Sequence, residues 1–115
     1  VRAADYVNAT RLRRKMADAF HASLAELDVA VTASSMDPPC RIDDPQAVEH
    51  TYGRQARAVF NITGSPALSV PVGFSKAGLP LAMQIVGKPF HEAMVYRVAH
   101  TYEQASPWRD RHPSL

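Results

Sequence analysis

Two apolar runs, residues 67–74 (ALSVPVGF) and 80–87 (PLAMQIVG), stand five residues apart and constrain the fold more than any other feature of the chain. The connection between them contains Gly78, so the pair predicts a β-hairpin. Neither run shows the polar alternation of a strand with one solvated face, and both therefore predict a sheet covered on both sides. Pro71 cannot donate to a ladder. It belongs at a bulge, or where its missing N–H faces no partner.

The elements around this hairpin follow from periodicity and punctuation. Over residues 3–27, Val7, Leu12, Met16, Phe20, Leu24 and Leu27 recur at spacings of three to five, which predicts an amphipathic helix whose other face carries Arg11, Arg13, Arg14, Asp18 and Glu26. Residues 28–33 (DVAVTA) read as a buried strand, and 34–45, with three prolines, as a loop. A second helix is predicted over 46–60, with Val48, Tyr52, Ala56 and Val59 on one side, Asp43 or Asp44 as its cap and Pro45 in its first turn. NITGSP at 61–66 breaks that helix, with Gly64 supplying a backbone conformation other residues resist. A third helix is predicted over 90–105, and 106–115 reads as an extended tail anchored by Trp108.

The order helix, strand, helix, strand, strand, helix is an α/β layout of about three strands and three helices. Three strands are few for a sheet covered on both faces, which suggests that further chain covers it. The chain also begins at Val1 and enters a helical pattern almost at once. That start fits processing or a piece of a longer protein.

Composition narrows the function classes. A length of 115 residues with 46% hydrophobic and 21% charged positions describes one ordinary globular domain, neither disordered nor coiled-coil. A formal charge of +2 is too small to imply a nucleic-acid partner. The single cysteine, Cys40, excludes an internal disulfide framework and any multi-Cys zinc site. No apolar run approaches the ~20 residues that span a bilayer, and no signal-like stretch opens the chain. A soluble, cytoplasmic protein is the expectation.

Motifs for chemistry are largely missing. There is no G-x-S-x-G elbow, because Ser65 in TGSPA is followed by Pro66, and there is neither S-x-x-K nor a Gly-rich phosphate loop. His21, His50, His91, His100 and His112 are scattered without ligand spacing, so no metal and no cofactor is expected. Cys40 has no base near it in sequence, and neither do Ser34 and Ser35 at the end of the first strand. On motifs alone, no residue of this chain is catalytic.

The stretch NITGSPALSVPVGF followed by GLPLAMQIVGKPFHEA nevertheless resembles the C-terminal part of the amidase signature family, whose pattern runs N-x-x-G-x-P-A-x-S-x-P-x-G and then G-L-P-x-x-x-Q-I-x-G. Asn61, Gly64, Pro66, Ala67, Ser69, Pro71, Gly73, Gly78, Leu79, Pro80, Gln84, Ile85 and Gly87 all fall in register. DVAVTA resembles the family's D-V-L-V-T-P-T strand, with Ala33 and Ser34 in place of Pro-Thr. The resemblance implies that residues 1–105 are the C-terminal part of an amidase signature domain, three strands of a mixed sheet packed with helices, and that 106–115 are a tail.

Such enzymes hydrolyse amides through a Ser–cis-Ser–Lys triad in their N-terminal half, which this chain does not match. The resemblance therefore implies scaffold and pocket wall, with Lys15, Lys76 and Lys88 outside the triad. It points to the segment 54–66 as the pocket side, with Arg54, Phe60 and Asn61 as candidate pocket residues. In the family's glutamyl-tRNA(Gln) amidotransferase A subunits, ungapped counting places at Arg54 the acid that meets the glutamine amino group, and Val59 replaces a proline. An arginine there repels an ammonium and favours another small-molecule amide substrate. Three readings stand: a piece of a general amidase, the equivalent piece of an amidotransferase A subunit, and a non-enzymatic α/β binding module. No direct nucleic-acid or membrane contact is expected, and an uncovered sheet would drive self-association.

Overall fold

The computed structural model describes residues 1–111. Helix α1 (Ala3–Ser23) starts where Asp5 reaches back to accept the Arg2 backbone N–H at 3.2 Å, half of a capping box. A turn through Leu24–Leu27 leads into β1 (Ala30–Ala33). Helix α2 (Pro45–Tyr52) is capped by the Asp44 carboxylate, which accepts the Ala47 N–H at 3.0 Å, with Pro45 at the first helical position.

The single helix expected over 46–60 is two. Gly53, a poor residue for a helix interior, closes α2, and a turn over 53–57 precedes α3 (Ala58–Thr63). The expected break at Asn61 comes three residues later, where Gly64 takes the left-handed conformation at φ 74° and its N–H bonds the Phe60 carbonyl at 2.9 Å.

The hairpin forms as β2 (Ala67–Phe74) and β3 (Pro80–Val86), joined by a turn in which Gly78 has φ 78°. Strand β3 is central, in the order β1-β3-β2, with Thr32 and Ser69 both opposite Gln84. All three described strands pair antiparallel. The β2–β3 register slips between Pro71 and Gly73: the proline sits at a bulge on the outer strand of the described sheet, where its missing donor is tolerated.

Helix α4 (Glu92–Ala105) packs across the hairpin, and Val70, Ile85, Val95 and Ala99 form the core with Leu68, Met83, Val98 and Tyr102 around them. On α1, Phe20 meets Phe60 of α3 at 5.8 Å between ring centres, and the Arg13 guanidinium donates to the Ile62 carbonyl at 2.7 Å. Beyond α4, the segment expected to be extended holds a 3-10 turn, Trp108–Asp110, and Trp108 packs edge-on against Phe74 at 6.1 Å. Residues 112–115 of that segment lie outside the described residues.

The molecule is a slab of 52 × 39 × 19 Å with a radius of gyration of 17.0 Å, where a closed domain of this length would have about 13 Å. Its core is correspondingly thin. Within the described residues the sheet is not covered on both faces: Ala67, Ser69 and Pro71 are exposed, as are Val31 and Leu81, and α1 buries no residue fully.

Candidate functional site

The end of β1 and the start of β3 meet the loop 34–40 at a cavity of about 610 Å³. Ser34 is still tied to the sheet, its N–H donating to the Ala82 carbonyl at 3.3 Å, and its hydroxyl lies 2.9 Å from that of Ser69. The loop then turns at Ser35, whose hydroxyl accepts the Asp37 N–H at 3.4 Å, and runs through Pro38 and Pro39 to Cys40. Two prolines in succession fix two φ angles and stiffen the rim.

Opposite this loop stand Thr51 of α2, Gln55 and Arg57 of the following turn, and Pro80, Leu81 and Ala82 of β3. The wall is mainly apolar, with a few polar groups around it, the usual constitution of a small-molecule pocket, and its volume is ample for one. The loop is held from outside by Arg54, whose Nε donates to Asp37 Oδ2 at 2.5 Å and whose carbonyl accepts the Met36 N–H at 3.2 Å.

The nucleophilic side chains here are engaged structurally. The Thr51 hydroxyl donates to the Ala47 carbonyl at 2.8 Å, so its single hydrogen is spent there and the Cys40 thiol, 3.3 Å away, is the donor in their contact. A thiol donating to a hydroxyl has no general base. Among the described residues one serine–histidine contact lies elsewhere, Ser65 Oγ to His21 Nε2 at 3.3 Å, but Ser65 is buried, already receives the Thr63 hydroxyl and lies away from the cavity. Lys88 donates to the Ala25 carbonyl at 2.6 Å and pins the turn after α1. Among the described residues no acidic, His or Cys cluster is arranged to hold a metal ion, and no helix is long and apolar enough to cross a membrane.

Of the residues singled out from sequence, Arg54 lies behind the cavity rim, engaged with Asp37. Phe60 is buried between α3 and α1, and Asn61 is exposed on α3; neither lines the cavity. The structure does not bring these three together around one space. Gln55 and Arg57 fall in the segment 54–66 that the resemblance marks, whereas the lining residues Asp37, Leu81 and Ala82 escaped sequence reasoning, although a Pro-rich loop directly after a strand is a common place for binding residues. Gln84, opposite Ser69, is buried in β3 with its Oε1 unpartnered among the described residues.

Known proteins share both the sequence and this architecture. The chain is 39% identical over 114 residues to the A subunit of the glutamyl-tRNA(Gln) amidotransferase from Nitrosococcus oceani, covering 95% of this chain and 23% of that protein. It is 34% identical over 115 residues to the A subunit of the same amidotransferase from a Cyanothece species, covering 96% of this chain and again 23% of the relative. The crystal structure of the Thermotoga maritima amidotransferase A subunit superposes with a TM-score of 0.75 at 31% identity, over 91% of this chain and 23% of that one. A bacterial aryl acylamidase of the amidase signature family superposes with a TM-score of 0.77 over 95% of this chain and 24% of that one; at 22% identity this shows a shared fold alone. The chain thus spans under a quarter of the length of the relatives it matches. The Amidase family model matches residues 1–96, and the chain belongs to the amidase family.

Proposed function

We propose that this chain is a structural portion of an amidase that hydrolyses carbon–nitrogen amide bonds of a small molecule in the cytoplasm, and that it supplies scaffold and one wall of the substrate pocket. The observation that carries the reading is the family match over residues 1–96, which includes every segment lining the cavity. Hydrolysis needs a nucleophile within hydrogen-bond reach of its base, at a point a carbonyl can approach. No such pair faces the cavity among the described residues, so the Ser–cis-Ser–Lys triad of this reading comes from outside the chain. The exposed apolar residues of α1 and the sheet are then the surfaces that the remaining chain covers.

A second reading, a portion of a glutamyl-tRNA(Gln) amidotransferase A subunit, is supported by the identities of 34–39% to such proteins. Against it stands the side chain at 54, which is cationic and faces an acid rather than being one. The test is a steady-state assay of the enzyme containing this chain, with and without Ala82→Trp, on simple amides and on glutamine. Amide hydrolysis with a raised KM in the variant is the expected result. An unchanged kcat/KM removes the cavity from the pocket, and the absence of hydrolysis removes the hydrolase reading.

A further inference from the structure

Two charged residues are among those lining the cavity, Asp37 and the exposed Arg57. Asp37 is already neutralised, since the Arg54 guanidinium contacts its carboxylate from behind the rim. Arg57 is different: its guanidinium has no ion-pair or hydrogen-bond partner among the described residues. Asp37 and Arg54 cancel, and Arg57 leaves the cavity with one uncommitted positive charge beside the apolar surface of Met36, Pro38 and Leu81.

Resting on the amide-hydrolase reading, we propose that Arg57 is a specificity-determining residue that selects substrates carrying a carboxylate. The substrate's apolar body packs on Met36, Pro38 and Leu81 while its carboxylate meets the guanidinium. A planar fork of N–H donors matches two carboxylate oxygens at once, which a lysine ammonium cannot do. A neutral ligand gains only the apolar contact. An ammonium-bearing one is repelled by Arg57 and finds Asp37 occupied.

Benzoate, benzamide and benzylammonium share one ring and differ in charge, so they separate the ionic contact from the apolar one. Ligand-observed saturation-transfer NMR on the 115-residue chain gives their relative affinities, and it tolerates a self-associating protein. The expected order is benzoate first, about three- to fivefold tighter than benzamide, the upper range for an ion pair that solvent screens at the exposed Arg57, and benzylammonium last. In Arg57→Gln the preference for benzoate disappears, and in Arg57→Lys it is reduced but kept. Equal binding of benzoate and benzamide overturns the proposal, and so does a preference that survives in Arg57→Gln. Benzoate selectivity in the chain, with no amide hydrolysis by the enzyme containing it, supports the cation site and removes the hydrolase reading. Amide hydrolysis indifferent to substrate charge does the reverse.

Discussion

Arg54 holds Asp37 by side chain and Met36 by backbone: its Nε meets Asp37 Oδ2 at 2.5 Å while its carbonyl accepts the Met36 N–H at 3.2 Å. Two bonds from one residue fasten the rim of the cavity to the turn between α2 and α3. They differ in what a mutation removes. The ion pair is partly solvated, with the two side chains 46% and 26% exposed, so Arg54→Ala should cost at most about 1 kcal/mol. The backbone bond survives the substitution. Urea unfolding should show that small loss while the Met36 amide keeps its protection from hydrogen exchange; a rim whose amides exchange freely in the variant would show that the ion pair alone holds it.

Gly87 and Val95 approach each other closely where the chain leaves β3 beside α4. A methyl group at Gly87 would stand 2.6 Å from Val95 Cγ2, and Val95 is buried on a stiff β-branched side chain. Gly87→Ala should therefore destabilise by about 1–3 kcal/mol through overpacking. In Gly87→Ala/Val95→Ala the new methyl occupies space the valine vacates, so the double variant should lose less than the two single losses combined. Strict additivity in chemical denaturation would mean that the two residues do not share that space.

What the sequence makes legible here is what local chemistry decides. Gly78 and the flanking apolar runs specify the hairpin, Pro71 specifies a bulge, Asp44 and Pro45 specify a helix start, and Gly64 specifies a left-handed stop. Each acts within a few residues of itself. The cavity is built otherwise: Ser34 and Ser69 are 35 residues apart and Asp37 and Arg54 17 apart, and no pattern in the chain announces either contact. The same distance effect explains the helix expected to run unbroken from 46 to 60. Its periodicity continues through Gly53, where α2 ends, and Arg54 of the turn that follows is held to the 34–40 loop at Met36 and Asp37. Phe60 and Asn61 sit in the segment the family resemblance marks, yet α3 directs Phe60 toward Phe20 and leaves Asn61 on its surface.

Two exposed ion pairs set a weak dependence on pH. The Arg41 guanidinium donates to both Asp43 oxygens, at 2.8 and 2.5 Å, and holds that carboxyl below its ordinary value of 3.8. Arg2 does the same to Asp5, first through its side chain and then through its backbone N–H. A carboxyl with a depressed folded-state value stabilises the fold above its ordinary value, and that contribution is lost as pH falls through the lowered one. The loss therefore lies below pH 3.8 for both residues. Carboxyl-carbon NMR titration should give midpoints under 3.8 for Asp5 and Asp43 that rise in about 1 M salt, where the screening length shrinks to roughly 3 Å. Midpoints insensitive to salt would contradict the ion-pair origin.

Apolar side chains left in solvent should make the chain adhesive. Leu12 and Met16 of α1, Val31 of β1 and Leu81 of β3 are 58%, 46%, 58% and 37% exposed. Exposed apolar area and an unpaired strand edge seek cover, so the chain on its own should self-associate and bind a hydrophobic dye. Light scattering should show larger species that diminish when the rest of an amidase polypeptide is added. A monodisperse, dye-silent chain would instead favour a self-sufficient binding module.

Whether this chain is pocket wall rather than catalyst is decided by ammonia release from simple amides, measured on the chain alone and again with a polypeptide carrying the Gly/Ser-rich catalytic half of an amidase. No turnover is expected from the chain alone, and turnover is expected when the two are combined, because the proposed reading places the pocket wall here and the nucleophile with its base outside the chain. Turnover by the chain alone that survives repurification would contradict this, since a nucleophile would then have to lie within these 115 residues.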